Sequence, residues 1–243
     1  MYFNFNTRPY VVINGKDSRS ISGLLVCTLP PISKPPKRII TETVDGRDGD
    51  IVSVLGYGAY DKSFEIGLTK EYNIDDVIAF FDSEGEIIFG NEPDKYYNFA
   101  SYTEIDFERL LRFKKAEVEL HVQPFKYAEA EEERIITLTS TDTYIYCRND
   151  GNIYSRPTIT IKGIGDIKLT INDYNFYIEL PTDKETTIIF DSVEMEAKDI
   201  SGKLLNRLVT GSYERIRLEP GENKIRVKGN ASEVKISKIS RWI

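Results

Sequence analysis

The chain has 243 residues, 40% of them hydrophobic and 29% charged, and a formal net charge of −7. That supports one large or two ordinary packed domains and excludes wholesale disorder. The acidic balance excludes a basic nucleic-acid footprint, and the longest apolar runs, such as "GLLVCTLPP", fall far short of the roughly 20 residues of a membrane span.

The opening "MYFNFNTRPY" has no cationic segment followed by an apolar one, so no signal peptide is expected. Tyr (15) and Phe (12) are plentiful, which favours strands. Cys27 and Cys147 lie in opposite halves and read as buried free thiols of a protein folded in a reducing cytoplasm. "VVINGKDS" places Asn14-Gly15 after a β-branched run, the signature of a type I′ hairpin turn. "LPPISKPPK" follows, and Pro30, Pro31, Pro35 and Pro36 make it extended and unsuited to a central strand. "TVDGRDGD" predicts a tight loop around Gly46 and Gly49.

"YNIDDVIAFFDSEG" predicts one short helix. Asn73 is its N-cap, Asp75 and Asp76 complement its first turn, and Ile74, Val77, Ile78 and Phe81 form the packing stripe. Gly85 suits its stop. "EIIFGNEPDKYYNFASY" reads as strand, turn and tyrosine-rich strand. "FERLLRFKKAEVELHVQPF" is ambiguous at its start and then alternates as a strand, which Pro124 is expected to end.

After residue 127 the pattern changes. "RIITLTS", "TYIYC", "PTITIKG", "DIKLTIND", "NFYIELP", "TTIIFDS", "ERIRLEPG", "NKIRVKG" and "EVKISKI" alternate over short spans, and turn residues such as "GIG" and "GNAS" separate nearly all of them. That density predicts a β-sandwich or jelly roll. Residues 1–127 carry 15 Lys/Arg and 20 Asp/Glu, and residues 135–243 carry 16 and 15. Between them lies "AEAEEER". The expected organisation is a domain over 1–127, an acidic linker over 128–134 and a second domain over 135–243.

Chemical motifs are few. His121 is the only histidine and sits on a strand between Leu120 and Val122, so several-ligand zinc chemistry is excluded by count. There is no G-x-S-x-G elbow and no phosphate-binding G-x-x-x-x-G-K-[ST] loop. "DGRDGD" fails as a calcium loop, because Arg47 and Gly56 stand where the third and twelfth ligands belong. "GYGAYD" has Asp61 in place of the third glycine of a dinucleotide fingerprint. No catalytic residue, metal or cofactor is expected. Exposed tyrosines of the second half could stack on sugar faces, with Tyr144, Tyr154 and Tyr174 the candidates and Tyr146, Phe176 and Tyr177 further ones. A carbohydrate-binding module fused to an anchoring domain is therefore the alternative reading.

The order of segments resembles the distal tail proteins, or Dit family, of long-tailed non-contractile bacteriophages. The resemblance rests on "FNFN", "DSRSISGLLVCTLPPISKPPKRI", "VDGRDGD", "LGYGAYDKSFEI", "GNEPDKYYNF" and "RFKKAEVELHVQPFKY" in the first half. In the second it rests on "NDGNIYSRPTITIKGIGDIKLTIND", "LEPGENKIRV" and the terminal "SRWI". It implies a mainly β protein: a β-sandwich or barrel-like N-terminal domain with one short helix, then a galectin-like jelly-roll sandwich. It also implies a non-enzymatic virion component at the tail tip, made in the host cytoplasm. There a homo-hexameric ring joins the tail tube protein to the hub or tail-fibre protein, near the tape-measure protein. The C-terminal domains would display docking sites for receptor-binding proteins, and DNA would meet the ring only in transit. The second half has no histidine and only Trp242, which argues against a galectin-type sugar site. Expected subunit contacts are Pro30, Pro31, Pro35 and Pro36, Arg47 and Asp48, Tyr96 and Tyr97, and His121 as a position that could tune a contact with pH.

Overall fold

The computed structural model describes residues 8–100, 105–131 and 133–243. The "FNFN" region lies outside the described residues. The fold is mainly β, in two compact units, one up to Glu129 and one over Ala130–Trp242.

The first unit contains β1 (Val11–Ile13), β2 (Lys16–Asp17), β3 (Leu24–Val26), β4 (Lys37–Thr43), β5 (Asp50–Tyr57), β6 (Tyr60–Leu68), α1 (Ile74–Phe81), β7 (Gly85–Phe89), β8 (Lys95–Ala100), α2 (Phe107–Phe113) and β9 (Lys115–Ala128). Seven of the strands form one antiparallel path in the order β2-β1-β7-β8-β9-β6-β3. Asn14 (φ 48°) and Gly15 (φ 79°) turn β1 into β2 with the two positive φ values of a type I′ turn. Strand alternation delivers Phe64 and Ile66 from β6, Ile87 and Phe89 from β7, and Val118, Leu120 and Val122 from β9 to a single core.

Helix α1 closes over that core. Asn73 Oδ1 accepts from the Asp75 N–H at 3.1 Å, as an N-cap should. The packed residues are Val77, Phe80 and Phe81, while Ile78 is exposed, so the stripe is rotated from the expected Ile74-Val77-Ile78-Phe81. Gly85 does not stop the helix, which ends at Phe81. It opens β7 at φ +134°, and a Cβ there would overlap the Asn14 amide. That amide donates to Glu84 O at 3.0 Å and accepts from Glu86 N at 2.9 Å. The ambiguous "FERLLRF" is a second helix. Asp106 caps its start, and Lys114, at φ 59°, ends it in the left-handed region.

Pro124 does not end β9. Its β6 partner has already stopped at Val122, and the β8 ladder skips from Phe99↔Val122 to Tyr97↔Lys126. Pro124 therefore sits in a bulge, where a missing N–H leaves no ladder bond broken.

The second unit contains β10 (Arg134–Thr137), β11 (Asp142–Asn149), β12 (Thr158–Ile171), β13 (Tyr174–Glu179), β14 (Thr186–Asp191), β15 (Glu196–Lys198), β16 (Val209–Thr210) and β17 (Gly221–Ser237). "GIG" and "GNAS", expected as turns, are corners inside two long continuous strands, β12 and β17. Residues 158–163 of β12 pair with β14 and with residues 231–237 of β17; residues 167–171 pair with β13 and residues 225–229 of β17. The register shifts between these stretches. Gly163 and Gly229 make the corner possible. A Cβ on Gly163 would sit 2.6 Å from Asn230 O, and Gly229 (φ +125°) lies against the Asp166 carbonyl. The single eight-stranded sheet thus bends into two halves, β10-β17-β12-β14-β15 and β11-β17-β12-β13-β16, and both feed one core that includes Ile159, Ile161, Leu169, Phe176, Phe190, Ile225 and Val234.

The acidic segment is anchored. Glu129 N–H donates to Asp94 O at 3.1 Å within the first unit. In the second, Glu131 Oε2 accepts from Ile239 N–H at 2.6 Å, and Glu133 pairs with Lys235.

Candidate functional site

Strands β4 and β5 form a two-stranded sheet of their own, outside the main sheet path. In its register Ile39 faces Val54 and Thr41 faces Val52, which puts Ile39, Val52 and Val54 on one face. Ile40 and Ile51 lie on the other. All five are 37–58% exposed, as is Leu55 beside the bulge at Arg38. A two-stranded hairpin is marginal in water, and this one is apolar on both faces with two edges unpaired among the described residues. Covering six half-exposed aliphatic side chains would contribute on the order of 1 kcal/mol each. Arg47 and Asp48 stand exposed in the tip loop, which is closed by Arg47 N–H to Val44 O at 3.1 Å.

The Pro-rich segment roots this hairpin on the sheet. Pro30 and Pro35 are buried, Pro31 and Pro36 exposed. Lys62 Nζ donates to Pro31 O at 2.9 Å, Asn91 Nδ2 to Pro30 O at 3.0 Å, and Tyr60 Oη to Ser33 O at 3.3 Å. Beneath lies a buried polar cluster. Glu92 accepts from Lys126 Nζ at 2.8 Å and from Tyr97 Oη at 2.9 Å. Burial pulls Lys62 down to about 8, against the opposing pull of Glu92. Burial pushes the Tyr97 phenol far up, so it stays a neutral donor.

The expected contact residues separate accordingly. Tyr97 is fully buried and cannot offer a contact surface. Tyr96 is half-buried, with its ring stacked on Tyr127 at 5.6 Å. His121 pairs across strands with Asp61, Nδ1 to Oδ1 2.6 Å, and is about one-third exposed (37%). It therefore lies at the surface, a strand position with a carboxylate neighbour.

The candidate stacking tyrosines do not form one site. Tyr144 is flanked by Lys224 and Arg226, at 4.3 and 5.0 Å from its ring centre. Tyr174 lies under Arg215, which also donates to its hydroxyl at 3.0 Å. Tyr154 is surrounded by Arg156, Arg217 and Arg241, all within 6 Å. Phe176 is core, whereas Tyr146 and Tyr177 are exposed. Cys27 and Cys147 are free thiols, and burial pushes Cys147 up to about 11. Among the described residues no cluster of His, Cys, Asp or Glu is placed to hold a metal ion, and no helix is long and apolar enough to cross a membrane.

The apolar doublets Ile39-Ile40 and Ile51-Val52 signal the two-faced hairpin, because neighbours on a strand point to opposite faces. Nothing in the local pattern marks Glu92, whose partners come from β8 and β9.

No family model matches the chain, and no curated protein does. Among solved structures, the crystal structure of the Dit protein (gp 19.1) of phage SPP1 aligns with 98% of this chain and 100% of its own, at a TM-score of 0.63 and 16% identity. That protein is described as a paradigm of the hub adsorption apparatus in phages infecting Gram-positive hosts. A structure of the activated phage P2 baseplate aligns with 98% of each chain at a TM-score of 0.39 and 9% identity, too weak a likeness to carry argument. The chain thus has the fold of a phage Dit protein across both units.

Proposed function

We propose that this chain is a structural protein of a phage tail tip. The first unit assembles as a homo-hexameric ring that joins the tail tube to the hub, and the second unit projects as a docking platform for receptor-binding proteins. The observation that carries this reading is the β4–β5 hairpin, which exposes two apolar faces and two free edges on a chain with the Dit fold. Such an arm stays soluble when a neighbouring copy covers it. The Pro-rich segment would fix the angle at which the arm leaves the sheet. The role needs no catalytic group.

Negative-stain electron microscopy of the purified chain, alone and with the tail-tube and hub proteins, tests the proposal. Rings are expected, and Ile39→Asp/Val52→Asp should abolish them. Single copies only, with both partners present, would overturn it.

A further inference from the structure

The outer face of the half-sheet β11-β17-β12-β13-β16 carries a feature that ring assembly does not use. Lys224, Arg226 and Lys228 alternate outward along β17, so their Cα atoms lie about 6–7 Å apart in a line. Across the strand pair, Lys168 of β12 stands directly opposite Lys228. Like charges in that relation are unfavourable, yet Lys168, Lys224 and Lys228 have no carboxylate within ion-pair distance among the described residues. Asp142, the first residue of β11 and directly opposite Lys228, pairs with Arg226, which holds that carboxyl below its usual range with a smaller pull from Lys228. Lys168, Lys224, Arg226 and Lys228 thus cluster with one ion pair, Arg226–Asp142, among them, in a chain of net charge −7. Other carboxylates border the line: Glu222 precedes Lys224 by two residues on β17, and Asp166, opposite Glu179 of β13, precedes Lys168 by two on β12.

Tyrosines flank the line. Tyr144 and Tyr146 stand on β11, opposite Arg226 and Lys224. Tyr177 stands on β13 opposite Lys168, whose Nζ is 5.3 Å from its ring centre. Tyr146 is 56% exposed and Tyr177 49%. Strand β17 is paired on both sides, so an extended peptide finds no free backbone edge along the cation line.

We infer that this face binds an anionic polysaccharide lying along β17. Its charged substituents meet Lys168, Lys224 and Lys228, and its sugar rings pack on Tyr146 and Tyr177. Flat aromatic rings beside spaced cations suit alternating apolar ring faces and anionic groups. The inference is independent of ring assembly, because every residue it uses belongs to the second unit.

The test uses the full chain and four probes of matched length: dextran sulfate, neutral dextran, poly-glutamate and oligo-dT. Dextran sulfate should bind at least tenfold tighter than each of the other three. Lys168→Gln/Lys228→Gln should weaken it tenfold or more and lower the salt slope by about two. Tyr146→Ala/Tyr177→Ala should weaken dextran sulfate while leaving poly-glutamate unchanged. Lys184→Gln/Lys203→Gln, exposed lysines off this face, should change nothing. Equal loss with that control pair would overturn the inference. Equal or tighter binding of poly-glutamate would do so in favour of an acidic protein, and of oligo-dT in favour of a nucleic acid. All three double variants lie on the surface, and unchanged circular dichroism would confirm folding.

Discussion

Glu92→Gln should unseat the polar cluster beneath the Pro-rich segment. Glu92 is 4% exposed and Lys126 5%, and Lys126 Nζ donates to Glu92 Oε1 at 2.8 Å. Removing the carboxylate leaves Lys126 buried without its counter-charge, a loss of roughly 3–5 kcal/mol for a broken buried pair. Tyr97 keeps an amide acceptor, so its hydrogen bond adds at most about 1 kcal/mol. With a urea slope of about 2 kcal/mol per molar, the midpoint of the first unit should fall by about 2 M. Hydrogen exchange of peptides spanning β8 and β9, read by mass spectrometry across a urea series, follows the first unit by itself. Glu92→Met/Lys126→Met should recover most of the loss, since it removes both charges. A loss below about 1 kcal/mol for Glu92→Gln, or a double variant as unstable as the single, would refute the reasoning.

Lys62 holds its proton less readily in the fold, at about 8, than in the unfolded chain, at 10.5. Between those values the unfolded chain binds more protons, so stability should rise with pH, by roughly 3 kcal/mol at full effect. Lys62→Met should flatten that rise in denaturation curves taken from pH 7.5 to 10. Gly229→Ala forces a side chain into φ +125° against the Asp166 carbonyl and should cost roughly 2–5 kcal/mol, followed by hydrogen exchange of β12 and β17 peptides across a urea series. Asn149→Ala removes a donor to the Ile153 and Leu218 carbonyls and the acceptor of the Gly151 N–H, leaving Leu218 O only the Ser155 N–H, and should cost about 2–4 kcal/mol by the same assay. Ile39→Asp/Val52→Asp should leave monomer stability within about 0.5 kcal/mol, because both positions are exposed, while removing self-association in sedimentation velocity.

The mainly β character was legible because periodicity and turn residues act locally. Asn14-Gly15 had to turn, and Asn73 with Asp75 and Asp76 had to start a helix. What failed was non-local. Gly163 and Gly229 look like turn residues, but each is needed because the other strand passes within van der Waals distance at the corner. Pro124 looks like a stop and is harmless because β6 and β8 leave its nitrogen unopposed. Ile78 and Phe80 exchanged places because the stripe is set by the sheet under α1 as well as by helical spacing. Of the candidate contacts, Arg47 and Asp48 fall on the exposed hairpin, but the apolar faces beside them outweigh the tip charges. Tyr97 was misread because strand alternation does not say which face is buried. The motif residues Asn149, Gly151 and Asn223 are explained by backbone closure. Asn223 Nδ2 donates to Glu219 O at 2.8 Å and Gly221 O at 2.9 Å, while its Oδ1 accepts from Glu219 N–H at 2.8 Å.

The particle mass of the purified chain in solution tests the central proposal most directly. Six copies of 27.9 kDa amount to about 167 kDa. Mass photometry should find that species, alone or on adding the tail-tube and hub proteins, and should lose it in Ile39→Asp/Val52→Asp. A 27.9 kDa particle at every concentration and with both partners present would contradict the account.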